Sequence, residues 1–200
     1  MLVTMSSGAW QIGSLALLAS LVGIALVTDL RQRRIPNLLV VVALCAGILV
    51  NTLGPQAFGR SDGLFNLYPS ALGYKGAMLG ALTGLAVFLP IYMVHALGAG
   101  DVKLMASIGS FVGPATAVNL AVVILLMGGV LALVHMVLAR NSQLVLFNVM
   151  AALSQMAPGS TRSFDPARTA WRMPYSVAMA AGLLAYGVWV FTDHAPLIRF

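Results

Sequence analysis

Acidic residues are scarce in this chain of 200 residues, which contains no glutamate and only five aspartates. Charged residues of both signs make up 8% of the sequence, whereas soluble domains are about a quarter charged. So few charges cannot cover the surface of a water-soluble domain. Most of the chain must therefore be solvated by lipid, and its mean hydropathy of +0.95 agrees with this conclusion.

Cysteine and histidine are also scarce, with one Cys and three His. The single Cys45 excludes an intramolecular disulfide and a cysteine-cluster metal site. The histidines are scattered, and the sequence has neither a phosphate-binding glycine loop nor a Ser-His-Asp set. We therefore expect no metal and no cofactor.

The basic residues, 11 Lys and Arg, give the chain a net charge of +6. They fall between the apolar runs instead of forming a solvated face. This placement is typical of residues that set membrane topology and contact anionic lipid headgroups. The expected surroundings are a lipid bilayer, and nucleic acid is not expected as a partner.

Six apolar segments are candidates for membrane helices, which need about 17–25 mostly apolar residues. They cover approximately residues 10–28, 38–53, 76–97, 102–113, 115–138 and 174–192. The fourth is short, and Gly113-Pro114 should bend or end it. It could cross, continue past Pro114 to a turn at Asn119, or dip into the membrane. Residues 1–200 are thus predicted to form one all-α polytopic membrane domain with about six transmembrane helices.

The positions of the basic residues favour six crossings. Connections 29–37, 98–103 and 139–173 would then share one side and carry eight basic residues, against three on the other side. Because cytoplasmic loops carry the excess of Lys and Arg, we expect the first side to be cytoplasmic. Asp29 and Asp101 would both lie at that face. The longest of these connections also holds an apolar stretch, 147–156, that could form an interfacial helix.

Asp29 and Asp101 are the candidate catalytic residues. Each is expected among turn-forming residues where an apolar run meets water, and a carboxylate at a membrane usually has a function. Asp101 could instead be the N-cap of the fourth segment. Gly98 and Gly100 beside it should let another chain approach closely. Two adjacent carboxyls share one proton, so that one can activate water while the other hydrogen-bonds a scissile carbonyl.

Two motifs carry a family resemblance. Asp29 precedes Arg34-Ile35-Pro36-Asn37-Leu38, and Asp101 lies within Gly98-Ala99-Gly100-Asp101-Val102-Lys103-Leu104. With the helix count, they resemble the type IV prepilin peptidases, which are GxGD membrane aspartic proteases. Met173-Pro174-Tyr175 resembles the family's Pro-aromatic entry to a late helix. The resemblance implies removal of the short basic leader of prepilins at the cytoplasmic face of the bacterial inner membrane, beside pilus-assembly machinery.

The resemblance also implies roles for single residues. Asp29 and Asp101 would be the catalytic pair, and the residues that support the motifs would be Gly98, Gly100, Lys103, Pro36 and Asn37. Lys103 either has a functional role, in which it biases the charge of the aspartates or meets lipid phosphate, or is a snorkelling basic residue. Pro36 and Asn37 should start the second segment.

The chain departs from the large members of that family, which carry an N-terminal cysteine-pair domain and methylate the new pilin N-terminus. It has one Cys and starts with an apolar segment. It is therefore similar to the short class that serves Flp (tight-adherence) pili, or to archaeal preflagellin peptidases. N-methylation is not predicted.

Other functions fit the same two aspartates. A small proton- or cation-coupled transporter or channel subunit would use them as a relay along a path through the bilayer. A non-catalytic scaffold of a pilus-assembly complex is a further hypothesis. An intramembrane protease of the presenilin type would pair GxGD with a Tyr-Asp dipeptide, and no Tyr-Asp occurs in the sequence.

Overall fold

The computed structural model describes residues 7–55, 63–66, 69–93, 97–138 and 175–192. Within these residues the chain forms helices and no strand, apart from one isolated bridge between Gly63 and Ser70. The described helices are α1 (Ser7–Gln32), α2 (Asn37–Leu53), α3 (Gly73–Met93), α4 (Ala99–Val112), α5 (Pro114–Leu138) and α6 (Tyr175–Phe191). The all-α prediction is confirmed, with one helix for each predicted segment. The predicted interfacial helix at 147–156 lies outside the described residues.

Three of these helices, α1, α3 and α5, are long and apolar enough to cross a membrane. Helices α2 and α6 have 17 residues each. At about 1.5 Å per residue they reach roughly 25 Å, a little less than the hydrocarbon core of about 30 Å. Large apolar side chains are exposed along all five helices, which gives the bundle a surface suited to lipid. The chain is a helical membrane protein, and the number of crossings stays a prediction.

Helix α4 differs from the others because protein surrounds it. It packs against α2, α3 and α5, and nine of its 14 residues are buried. A helix enclosed by its neighbours does not need to match the bilayer thickness, because protein groups can satisfy its ends. Gly113 ends it with a φ of 81°, and α5 starts at Pro114. The alternative that continued the fourth segment to a turn at Asn119 is wrong, since Asn119 lies inside α5.

Helix α4 approaches α3 at a contact between glycines. A β-carbon on Gly80 would overlap the backbone carbonyl of Gly109, and one on Gly109 would overlap the carbonyl of Gly80. One turn along α3, a β-carbon on Gly84 would lie 2.5 Å from the carbonyl oxygen of Met105. Small residues allow this close packing in lipid, where apolar burial gives helices little reason to associate.

The C-terminal end of α4 meets α2 at a buried asparagine. The side-chain amide of Asn51 donates hydrogen bonds to the carbonyls of Ser110 and Phe111, at 2.8 and 3.0 Å. Its oxygen accepts a bond of 3.1 Å from the N–H of Leu72, just before α3. Asn51 is fully buried, so one amide satisfies the last carbonyls of α4 and fixes the start of α3.

Replacing Gly80 by Ala should destabilise the bundle by about 1–3 kcal/mol, because the added methyl group forces α3 and α4 apart. Gly23 on α1 has no neighbour within 4 Å of an added β-carbon. Gly23→Ala is therefore the matched control, and it should be neutral or slightly stabilising. Thermal unfolding of both variants in detergent measures the difference. An unchanged midpoint for Gly80→Ala would show that the two helices do not meet at their glycines.

Candidate active site

Asp29 lies on the inner face of α1, close to the end of the helix. Buried residues recur along α1 every three or four positions. They are Trp10, Ser14, Leu18, Leu21, Val22, Ala25 and Asp29. The expectation that Asp29 lies among turn residues is therefore wrong, because α1 continues beyond it to Gln32. Its side chain is only 9% exposed, which places a carboxyl at the end of an otherwise mainly apolar stripe.

The carboxyl of Asp29 is hydrogen-bonded to α6. Among the described residues, the hydroxyl of Ser176 donates to Asp29 Oδ2 at 2.6 Å. Ser176 is the second residue of α6 and is 1% exposed. A buried carboxyl oxygen that loses its donor costs about 1–3 kcal/mol or more. This bond therefore joins the end of α1 to the beginning of α6.

Asp101 lies in the first turn of α4, three positions after the N-cap Gly98. Its Oδ2 accepts a hydrogen bond of 3.1 Å from the backbone N–H of Gly98. The alternative in which Asp101 is the N-cap of this helix is therefore wrong. Asp101 supplies the acidic half of a capping box from the third helical position. Its negative charge is also favourable near a helix N-terminus. Asp101 thus stabilises α4, whatever else it does.

The two aspartates interact electrostatically. Burial raises the pKa of Asp101 from 3.8 to about 6; the Gly98 hydrogen bond opposes this rise and the charge of Asp29 adds to it. Asp101 is partly exposed at the end of α4, a helix too short to span a bilayer unaided. The structure therefore brings the two predicted residues close enough to interact electrostatically, and Asp101 can hold a proton close to neutral pH.

The two motif segments dock on each other. A β-carbon on Gly100 would lie 3.3 Å from Cβ of Ile35. The space beside Gly100 is thus occupied by Ile35, whereas the sequence suggested room for another chain. Lys103 is exposed, and its ammonium donates to the side-chain oxygen of Asn37 at 3.1 Å. Lys103 therefore joins the first residue of α2 to the N-terminal part of α4, a role that neither sequence-based alternative included.

A tight turn between α1 and α2 produces this docking. Arg33 has a φ of 53°, and its N–H donates to the carbonyl of Asp29 at 2.8 Å. A left-handed residue with such a bond is a common helix C-cap, although Gly usually fills it. Pro36 follows as the N-cap of α2, and Asn37 is the first helical residue. The prediction that Pro36 and Asn37 start this helix is confirmed.

Tyr175 and Ser176 complete the site, and sequence reasoning missed Ser176. The Tyr175 ring packs on Phe88, with ring centroids 6.2 Å apart, and a β-carbon on Gly128 would lie 2.8 Å from it. Its hydroxyl is buried and has no hydrogen-bond partner among the described residues. The Tyr175 side chain lies close enough to Asp101 for the two to interact electrostatically. The sequence did contain one signal for Ser176, which is its spacing of three or four positions from the other residues on one helix face. Ser176 begins the buried face of α6 that continues through Met179, Gly182 and Tyr186.

Two carboxyls in this arrangement can perform acid–base chemistry. An ionised carboxyl can take a proton from water while a protonated neighbour donates to a carbonyl oxygen. Within the described ranges, no group of three or more His, Cys, Asp or Glu residues could hold a metal ion. Asp29 and Asp101 together offer the chemistry of a carboxyl pair.

A comparison with protein families identifies the family of this chain. Residues 16–137 match the type IV leader peptidase family, and this range includes Asp29, Asp101 and both docking segments. Searches against curated proteins and against solved structures gave no match. The family match favours a peptidase over a transporter subunit or a scaffold. Because the match covers more than half of the sequence, the chain belongs to the type IV leader peptidase family.

Proposed function

We propose that this protein is an aspartic endopeptidase that removes the leader peptide from prepilin-like substrates of the type IV or Flp class. The observation that carries the proposal is the electrostatic interaction of Asp101, at the beginning of α4, with Asp29, at the end of α1 that is hydrogen-bonded to α6. Both residues lie within the range that matches the family.

The two carboxyls have different surroundings, which suggests different roles. Asp29 has the role of the base: it takes a proton from a water molecule, whose oxygen attacks the scissile carbonyl carbon. Asp101, with a pKa of about 6, donates its proton to the carbonyl oxygen. Asp29 then passes its proton to the leaving nitrogen as the tetrahedral intermediate breaks down and the C–N bond is cleaved. Asp101 recovers its proton when the carbonyl re-forms.

The substrate class follows from the family and from the membrane. A prepilin presents a short basic leader followed by an apolar helix. The exposed apolar surface of this bundle keeps the active site beside the bilayer, where such a helix resides. The excess of basic residues in three connections supports an active site at the cytoplasmic face of a bacterial inner membrane. Pilus-assembly machinery is the expected partner.

Separate Asp29→Asn and Asp101→Asn variants should each lower leader removal by about 10²–10⁴-fold, because each removes one group that transfers a proton. The measurement is the rate at which a co-expressed Flp-type prepilin is shortened, followed by gel mobility. Asp193→Asn, near the C-terminus, is the control and should cleave normally. Full leader removal by either of the first two variants would refute the pair mechanism.

The pH dependence should report on Asp101. Since its pKa is raised to about 6, Asp101 is protonated below that pH and loses its proton above it. The catalytic rate should therefore fall as the pH rises through about 6, because the acid that donates to the carbonyl is lost. The infrared band of a protonated carboxyl should disappear over the same interval and should be absent from Asp101→Asn. A band that disappears near pH 4 would contradict the assignment.

Two exposed lysines test the orientation in the membrane. Lys103 lies in the motif at the start of α4, and Lys75 lies in the first turn of α3. In a Cys45→Ser background, Lys103→Cys should react with a charged, impermeant maleimide only in inverted membrane vesicles. Lys75→Cys should react only from the outer side of intact cells. Reaction of Lys103→Cys from the outer side of intact cells would overturn the cytoplasmic placement of the site.

A further inference from the structure

Ser176 donates a short hydrogen bond to the carboxyl of Asp29. The distance of 2.6 Å between Ser176 Oγ and Asp29 Oδ2 falls within the range of about 2.5–2.7 Å for hydroxyl donors to charged oxygens. Both residues are buried, so little water competes for this hydrogen bond. A short, buried bond of this kind restricts the rotation of the carboxyl that accepts it.

Ser107 and Ser110 on α4 also donate to another helix, but their acceptors are backbone carbonyls of α2. Ser14, Ser20, Thr28 and Thr52 each donate to a carbonyl four positions earlier in their own helix, which is the usual local bond for such residues. Ser176 is the second residue of α6, so its helix has no carbonyl four positions earlier. Its hydroxyl is therefore free to reach α1.

We propose that Ser176 is a positioning residue for the peptidase reaction, holding the Asp29 carboxyl by Oδ2 so that Oδ1 is the oxygen left to accept a proton from water. This inference rests on the proposed function. Ser176 itself touches no reacting atom. It acts by keeping the base in one orientation, which reduces the rearrangement needed when the water is deprotonated. The residue lies beyond the range that matches the family.

The test compares Ser176→Ala with Ser176→Thr, using purified enzyme in detergent and a synthetic peptide with a basic leader, a Gly at the cleavage site and an apolar segment. Ser176→Ala should lower kcat about tenfold, which corresponds to one lost hydrogen bond to a charged group. KM should stay unchanged, since the substrate does not contact Ser176. Ser176→Thr keeps the hydroxyl and should restore most of kcat.

Ser14→Ala is the matched control, because Ser14 is also buried but bonds only within α1. Its kcat should equal that of the parent enzyme. If Ser176→Ala lowers the unfolding midpoint, Ser176→Cys offers a similar volume with a weaker donor and should give an intermediate kcat. Parent-like kcat in either the Ala or the Cys variant would overturn the inference, as would failure of Ser176→Thr to restore kcat.

The Asp→Asn variants separate this inference from the proposed function. If Asp29→Asn and Asp101→Asn both cleave the peptide normally, the proposed function fails. If both are inactive and Ser176→Ala keeps its full kcat, the carboxyl pair stands and only the role of Ser176 is lost.

Discussion

The enclosed position of α4 is the constraint on which the rest of the structure depends. Lipid cannot satisfy the free backbone groups at helix ends, so a short inner helix needs protein partners at both ends. The side-chain amide of Asn51 donates hydrogen bonds to carbonyls at the C-terminal end of α4. The carboxyl of Asp101 accepts a hydrogen bond from the backbone N–H of Gly98 at the N-terminal end. The backbone contact at Gly80 and Gly109 then sets the depth of α4. The position of Asp101 is consequently determined by helix packing rather than by a loop.

Asp101 combines its structural role at the start of α4 with the proposed chemical role, and the surroundings of its carboxyl act on its charge in opposite directions. The Gly98 N–H and the helix N-terminus favour the ionised carboxyl, whereas burial favours the neutral one. Burial has the larger effect, which leaves the pKa near 6. An asparagine at this position can still accept the Gly98 hydrogen bond through its side-chain oxygen. That substitution therefore removes the titrating proton while it preserves much of the cap.

The sequence was sufficient for the six helices and the two motifs, because apolar length, Gly-Pro and the basic connections are local signals. It was insufficient wherever the answer depended on a neighbouring helix. Asp29 looked like a turn residue because the apolar run stops there, although the buried stripe of α1 continues to it. Gly100 looked open because nothing in the sequence places Ile35 beside it. Ser176 belongs to neither motif, and the carboxyl to which it donates a hydrogen bond lies 147 positions earlier in the sequence.

The candidate site exists only where three helices meet. Asp29 comes from the end of α1, Asp101 from the beginning of α4, and Ser176 from the beginning of α6. None of these helices alone can desolvate a carboxyl, so the acid–base character of the pair arises when the bundle closes. The exposures then differ: Asp29 is shielded and bonded, while Asp101 is partly exposed. Asp101 is therefore the more accessible of the two carboxyls to water.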